Sequence, residues 1–444
     1  MPEISGTRRL RLLMIGRCFW PLGTLDGGAH LMSLASGLHE HGFHVEVLTP
    51  KYSSDWAETL TFREITVHRP FRPPPAGWKN AFDRGTSKYL EALSNWLRTY
   101  GAGFDVIYCD LAREEAIAAS NLSKQLGLPC IVRVAGQGDA SDLEWMAAGK
   151  FGKRTLAAVQ RADAVVLGSA AAERRWRTLG GDASAVTRIA PGSFPQPMHD
   201  KTKLRSALAR INGDFFVPSE RSVLLSIDRH DLQSGIMHLV KAALGLSNEI
   251  GSLQYWLVGD GPGRDAVYSR LRGDGLRQSV AMPGSFGVVE DVFQAADLMV
   301  HSGSDGFDAL IPAAIEASLP MVVSNTAAAR EFFQLRTAEV ESMILDRKSD
   351  QPVRSPTQSD VEDRLLEASC VSWYDTERPR TLRFAVLQMM NQLEAARDRA
   401  ETLKRRWRRE HSGAAMIDAY RRLLRSLAAT QHRSQVAFDS EQAS

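Results

Sequence analysis

Short, mainly apolar runs alternate with amphipathic segments through the first half of the chain. The runs at 12–15, 45–48, 105–109, 131–134, 164–167 and 186–190 read as buried strands. Between them apolar residues recur at helical spacing. Leu31, Leu34, Ala35 and Leu38 occupy i, i+3, i+4 and i+7 within 27–41, and Gly42 marks the stop. A second such segment spans 114–126. Alternating strand and helix predicts a parallel, doubly wound sheet with ligands at the carboxyl ends of its strands. The Pro-rich stretch 70–77 reads as a loop at a cleft edge.

The pattern breaks at 191–197, and a linker running to about 218 leads into a second series of apolar runs at 223–227, 253–258, 280–282, 298–301, 321–324 and 342–345. The expected fold class is therefore α/β, with two Rossmann-like domains over 8–195 and 215–395 hinged near 195–218. Residues 347–362 are polar and read as a loop. From 383 to 427 the chain is helical and basic, with Met416, Ile417, Tyr420, Leu423 and Leu424 on one face of its last helix, expected over 412–428. The polar tail 429–444 reads as disordered.

Composition narrows the function classes. A length of 444 residues allows two cores. With 54 Lys and Arg against 52 Asp and Glu, no electrostatic case exists for nucleic acid as the main partner. Cys18, Cys109, Cys130 and Cys370 are scattered without a CxxC pair, as expected of reduced core residues in a cytosolic protein. The apolar run after the basic start covers only 10–15, too short for a signal peptide, and no run of eighteen apolar residues occurs. A soluble, cytoplasmic protein is expected.

The stretch 280–324, VAMPGSFGVVEDVFQAADLMVHSGSDGFDALIPAAIEASLPMVVS, carries the candidate chemistry. Its strand ends before the turn Asp305-Gly306-Phe307-Asp308, which opens a helix, and a closing strand follows Leu319-Pro320. This resembles the donor-binding half of family-four retaining glycosyltransferases of the GT-B fold. Val258-Gly259-Asp260-Gly261-Pro262, directly after a strand, matches the family's sharp strand-to-helix turn and supports the fold. The resemblance extends from Leu12 to about Leu427 and implies two Rossmann-like domains facing each other across a cleft, with the last helix bracing the first domain.

The same resemblance implies a nucleotide-diphosphate-sugar donor, transfer to a glycan or lipid-linked acceptor hydroxyl with retention, and no metal. Arg229 falls where the family holds the leaving diphosphate with Arg, and its guanidinium can fork two hydrogen bonds onto phosphate. Ser234 stands where relatives carry Lys, and Asp228 where they carry Gly. In the family's acidic pair, the acid on the sugar corresponds to Asp305, and the acid on the ribose to Ala313. Glu316, one turn further on, is the candidate substitute. The amides of Gly306 and Phe307 face the donor in this reading, as do Asp308, Gly259 and Gly284. From the other domain Gly27-Gly28, opening a helix, lets backbone approach the diphosphate. Arg133 and Asp139 fall on the acceptor side.

Each feature has a plainer reading. Gly-Gly before a helix is a common turn, Asp305 and Asp308 suit a helix cap and first-turn acid, and His301 suits a core position. The basic faces at 404–409 and 421–425 are either solvated or peripheral contacts to anionic lipid. A catalytically impaired glycosyltransferase acting as a binding or partner subunit remains the alternative, and a sugar-nucleotide epimerase a third.

Overall fold

The computed structural model describes residues 9–73, 84–232, 234–344 and 371–442. Eight strands build the first sheet: β1 (Arg11–Ile15), β2 (His44–Leu48), β3 (Thr59–Phe62), β4 (Ile65–His68), β5 (Val106–Cys109), β6 (Cys130–Arg133), β7 (Ala164–Leu167) and β8 (Val186–Arg188). Their spatial order is β3-β4-β2-β1-β5-β6-β7-β8, parallel except for the β3–β4 hairpin. Six more build the second: β9 (Ser222–Ile227), β10 (Leu253–Val258), β11 (Val280–Gly284), β12 (Leu298–His301), β13 (Met321–Ser324) and β14 (Val371–Tyr374). These run parallel in the order β11-β10-β9-β12-β13-β14. Strands such as β5, β10 and β12 are buried along their whole length because helices cover both faces, which is why they read as continuous apolar runs.

Four sequence expectations change. The β3–β4 hairpin is absent from the reading because its turn, Arg63 (φ 48°) and Glu64 (φ 65°), takes left-handed backbone without the Gly or Asn that marks such turns. The described residues of the segment 342–345 form no strand. Its start ends the helix Thr337–Met343, which Glu339 opens by accepting the Arg336 amide at 2.6 Å, and the last strand is β14. The linker 195–218 is not a free hinge either. It carries the helix Lys201–Ile211, whose Leu204 and Leu208 enter the second core while Lys201 and Arg205 pair with buried Asp297 at 3.0 and 2.5 Å. Lastly, helix Gly413–Gln442 runs through most of the tail expected to be disordered. The polar loop at 347–362 and Cys370 lie outside the described residues, while Cys18, Cys109 and Cys130 are free thiols.

The chain crosses between the domains twice at one place. Ser193 donates its amide to His411 at 3.0 Å and accepts that of Gly413 at 2.7 Å. Past this crossing, Met416, Ile417, Tyr420 and Leu424 join the core of the first sheet, and a Cβ on Gly37 would strike Ile417. No described helix is long and apolar enough to cross a membrane. The basic run at 404–409 is partly spent inside the molecule: Lys404 is buried against Ser318, and Arg408 holds Glu316.

Candidate donor-site cleft

Both sheets direct the carboxyl ends of their strands into one cavity of about 570 Å³. From the first domain it is lined by Arg17, Cys18, Asp26, Gly27, Asp110, Arg113, Arg133 and Asp142; from the second by Asp228, Arg229, Ser234, His238, His301, Asp305, Gly306 and Asp308, among others. Sheet geometry causes this convergence. The loop after each parallel strand emerges at the same edge, and the two domains turn those edges toward each other.

The cations of the first wall are committed to carboxylates. Arg17 meets Glu114 at 2.5 Å and Glu115 at 2.9 Å, and Arg113 meets Asp142 at 2.6 Å. Arg133 bonds Asp110 at 2.9 Å and crosses the cleft to Asp308 at 2.8 Å. Asp308 also accepts the Gly136 amide at 2.9 Å. Burial alone would raise its pKa, but Arg133, His30 and that amide together hold it below the usual carboxylate range. Asp308 thus ties the domains through one of its carboxylate oxygens. Its partner Arg133 lines the cavity with three of its five N–H groups engaged. Asp139 is exposed and lies outside the cavity lining.

Asp26, directly before Gly27-Gly28, is the residue that sequence reasoning missed. Its carboxylate is 3% exposed and accepts the amides of Asp308, Ala309 and Leu310 at 2.9, 2.7 and 3.0 Å. It therefore caps the helix Leu310–Glu316 from the opposite domain, taking amides next to those assigned to the sugar-nucleotide. Burial, with the nearby charges of Asp305 and Asp308, raises its pKa well above normal. The available signal was an acid preceding a helix-opening glycine pair. Gly27 lines the cavity, whereas Gly28 packs so tightly under the loop that a Cβ would sit 2.3 Å from the Leu22 oxygen.

In the second domain Arg229 is exposed and faces the cavity. Ser234 faces it too, but its hydroxyl donates to the carbonyls of Asp231 (2.8 Å) and Arg229 (3.0 Å), closing the turn. Asp305 opens into the cavity and accepts the Gly306 amide at 2.9 Å. Although its surface is open, the enclosing walls displace most of its hydration, and that desolvation, with the Asp308 charge, raises its pKa. Gly306, at φ 102°, takes backbone that a larger residue adopts only with strain. Phe307 is a core residue, its ring edge-on to His301 at 4.9 Å. His301 lines the cavity with burial pushing its pKa down to about 4, so it is neutral.

Two expected donor contacts lie elsewhere. Glu316 is buried on the far side of its helix, accepting Ser193 Oγ at 2.7 Å and Arg408 Nε at 2.7 Å. It secures the domain crossing and does not replace the acid absent at Ala313, which lines a separate small pocket with it. Gly259 (φ 128°) donates its amide to the carbonyl of Gly284 (φ 88°) at 2.9 Å, so both shape strand ends outside the cavity lining.

Comparison with known proteins agrees with this architecture. Residues 27–192 match the glycosyl transferase 4-like domain and residues 221–348 the glycosyl transferases group 1 domain. No curated protein sequence matches the chain. Among solved structures, sucrose-phosphate synthase from Thermosynechococcus elongatus is similar at 16% identity and TM-score 0.64, covering 95% of this chain and 100% of that one. The HepE protein of Anabaena in complex with UDP-glucose follows at 14% and 0.62, covering 94% and 100%. A trehalose 6-phosphate synthase from Burkholderia multivorans stands at 12% and 0.65, covering 96% and 99%. The chain has the GT-B fold and carries glycosyltransferase domains in both halves.

Proposed function

We propose that this protein transfers a sugar, with retention, from a nucleotide-diphosphate-sugar donor to an acceptor hydroxyl. The observation that carries the reading is the interdomain cavity, at the carboxyl ends of two facing parallel sheets, with Arg229 exposed on one wall and Asp305 open beside it. Arg229 neutralises the leaving diphosphate, whose charge grows as the glycosidic bond breaks. Asp305 accepts from a sugar hydroxyl, and Gly27 lets backbone approach from the first domain. The departing phosphate takes the acceptor proton, so no separate protein base is required. A fold neighbour whose structure holds UDP-glucose makes that compound the first donor to try.

The test is calorimetry with a panel of nucleoside-diphosphate sugars, beginning with UDP-glucose. Arg229→Ala is expected to weaken binding by about 1.5–3 kcal/mol, the worth of a hydrogen bond to a charged group. Unchanged affinity means that the diphosphate rests elsewhere. A second reading, a binding subunit with little turnover, is favoured by one finding: the Ser234 hydroxyl is spent on its own turn where the family supplies a full charge. Donor hydrolysis by the unmodified chain separates the two, ordinary turnover discarding the second.

A further inference from the structure

Asp228 stands at the end of β9, where the cavity wall begins, and its backbone is fixed. Its amide donates to Val258 at 3.1 Å, and its carbonyl lies 2.0 Å from where a Cβ on Gly259 would sit. One carboxylate oxygen accepts the Arg229 amide at 2.7 Å, while the other is buried and makes no well-formed hydrogen bond; the Ile236 amide, at the start of the next helix, acts on the carboxylate but does not offset its burial. A buried carboxylate oxygen without a well-formed hydrogen bond is costly as an anion and cheap as a neutral acid. The charged groups acting most strongly on it are also negative: Asp305 from the loop after β12, and Asp231 on its own loop. Packed nearby are Tyr374 of β14 and His238, hydrogen-bonded to each other at 3.2 Å, and the His238 pKa is lowered by burial. Arg229 is the adjacent cation, and it points into the cavity that Asp228 also lines.

We propose that Asp228 takes up a proton when a diphosphate enters the cavity beside Arg229, so that the wall meets the phosphates as a neutral acid and donor affinity depends on pH. The inference rests on the reading of this cavity as the donor site. The proton comes from solvent and goes to the carboxylate oxygen that makes no well-formed hydrogen bond; no bond to the donor is made or broken. Burial already pushes the Asp228 pKa up to about 7, so near neutrality the proton is gained at little cost, and two further negative charges tip the balance. The sign follows. Affinity is level below pH about 7, where the acid is already neutral, and falls by up to about tenfold per pH unit above it.

The experiment is titration of UDP-glucose, whose doubly esterified diphosphate does not itself titrate near neutrality. It is run from pH about 6 to about 8.5 in two buffers of different ionisation enthalpy. The unmodified chain is expected to absorb up to one proton on binding above pH about 7 and to lose affinity as described. Asp228→Asn, neutral at every pH, is expected to abolish both effects and to bind at high pH about as tightly as the unmodified chain at low pH. Asp139→Asn, exposed and outside the cavity lining, serves as the control and is expected to retain proton uptake. PH-independent binding without proton uptake by the unmodified chain overturns the inference and leaves the donor site standing. Uptake that persists in Asp228→Asn overturns it as well. Failure of UDP-glucose and every other nucleoside-diphosphate sugar to bind at any pH overturns both readings. Should Asp228→Asn not fold, Asp228→Gly makes the same comparison.

Discussion

A polar group that lines a cavity serves a ligand only with the hydrogen bonds its own protein leaves over. Ser234 has given its hydroxyl to two carbonyls of its turn, so it offers the cavity little beyond its surface. Ser234→Lys therefore has two expected effects of opposite sign. The new ammonium beside Arg229 tightens nucleotide-diphosphate binding by about 1.5–3 kcal/mol, as a charge-assisted contact should. Loss of the single hydroxyl hydrogen shared by the two carbonyls lowers folding stability by about 1 kcal/mol. Calorimetry reads the first effect and denaturant unfolding the second. Weaker binding by the lysine variant would mean that the diphosphate does not approach this turn.

At the scale of elements, one carboxylate fastens two other pieces of chain to the second sheet. Asp297, 6% exposed and just before β12, accepts from Lys201 and Arg205 of the linker helix, from Arg397 at 2.7 Å, and from the Val223 amide at 2.8 Å. Burial on its own would raise its pKa, but Lys201, Arg205 and the Val223 amide outweigh that and leave it below the ordinary range. A carboxylate with a depressed folded pKa adds stability above its unfolded value, near pH 4, and loses it as pH falls through the folded one. Asp297→Ala should accordingly cost about 3–5 kcal/mol at neutral pH, as when one partner of a buried ion pair is removed. The difference from the unmodified chain should shrink in acid. A loss under about 1 kcal/mol at neutral pH, read by chemical denaturation, would show the cluster to be loosely solvated and of little consequence.

For the whole molecule, the decisive contacts are those between domains. Asp26 caps a helix of the opposite domain, Arg133 meets Asp308 across the cleft, and Glu331 accepts from Ser169 at 2.8 Å and the Gly138 amide at 3.1 Å. With both covalent crossings gathered at Ser193 and His411–Gly413, these contacts hold the cleft closed about a narrow pivot. Asp26→Ala removes three amide hydrogen bonds and should shift the population toward an open cleft by about 2–4 kcal/mol. Small-angle scattering should show a larger radius of gyration, and the amides of Asp308, Ala309 and Leu310 should exchange faster. Unchanged scattering and exchange would mean that packing alone keeps the domains together.

How much of this was legible beforehand depends on the range of the interaction. Buried parallel strands such as β5, β10 and β12 announce themselves because both faces are covered, and the β10 turn at Gly259 is a local geometry that few sequences satisfy. Arg229 and Asp305 were named from the loops that follow β9 and β12, and both line the cavity because the ends of parallel strands emerge at that edge. Glu316, Asp308 and Ser234 were placed by spacing alone, and spacing does not say which hydrogen bonds a side chain has already made. Their partners are Arg408 and Ser193, Arg133, and a turn's own carbonyls. Asp26 is the extreme case, since it bonds residues more than 280 positions away. The sequence by itself thus determined the two α/β domains, their strand edges and the residues at those edges, because local periodicity and turn chemistry set them. Only the tertiary structure decided which of those residues remain free to meet a ligand, because that depends on the charges and amides the opposite domain brings within bonding distance.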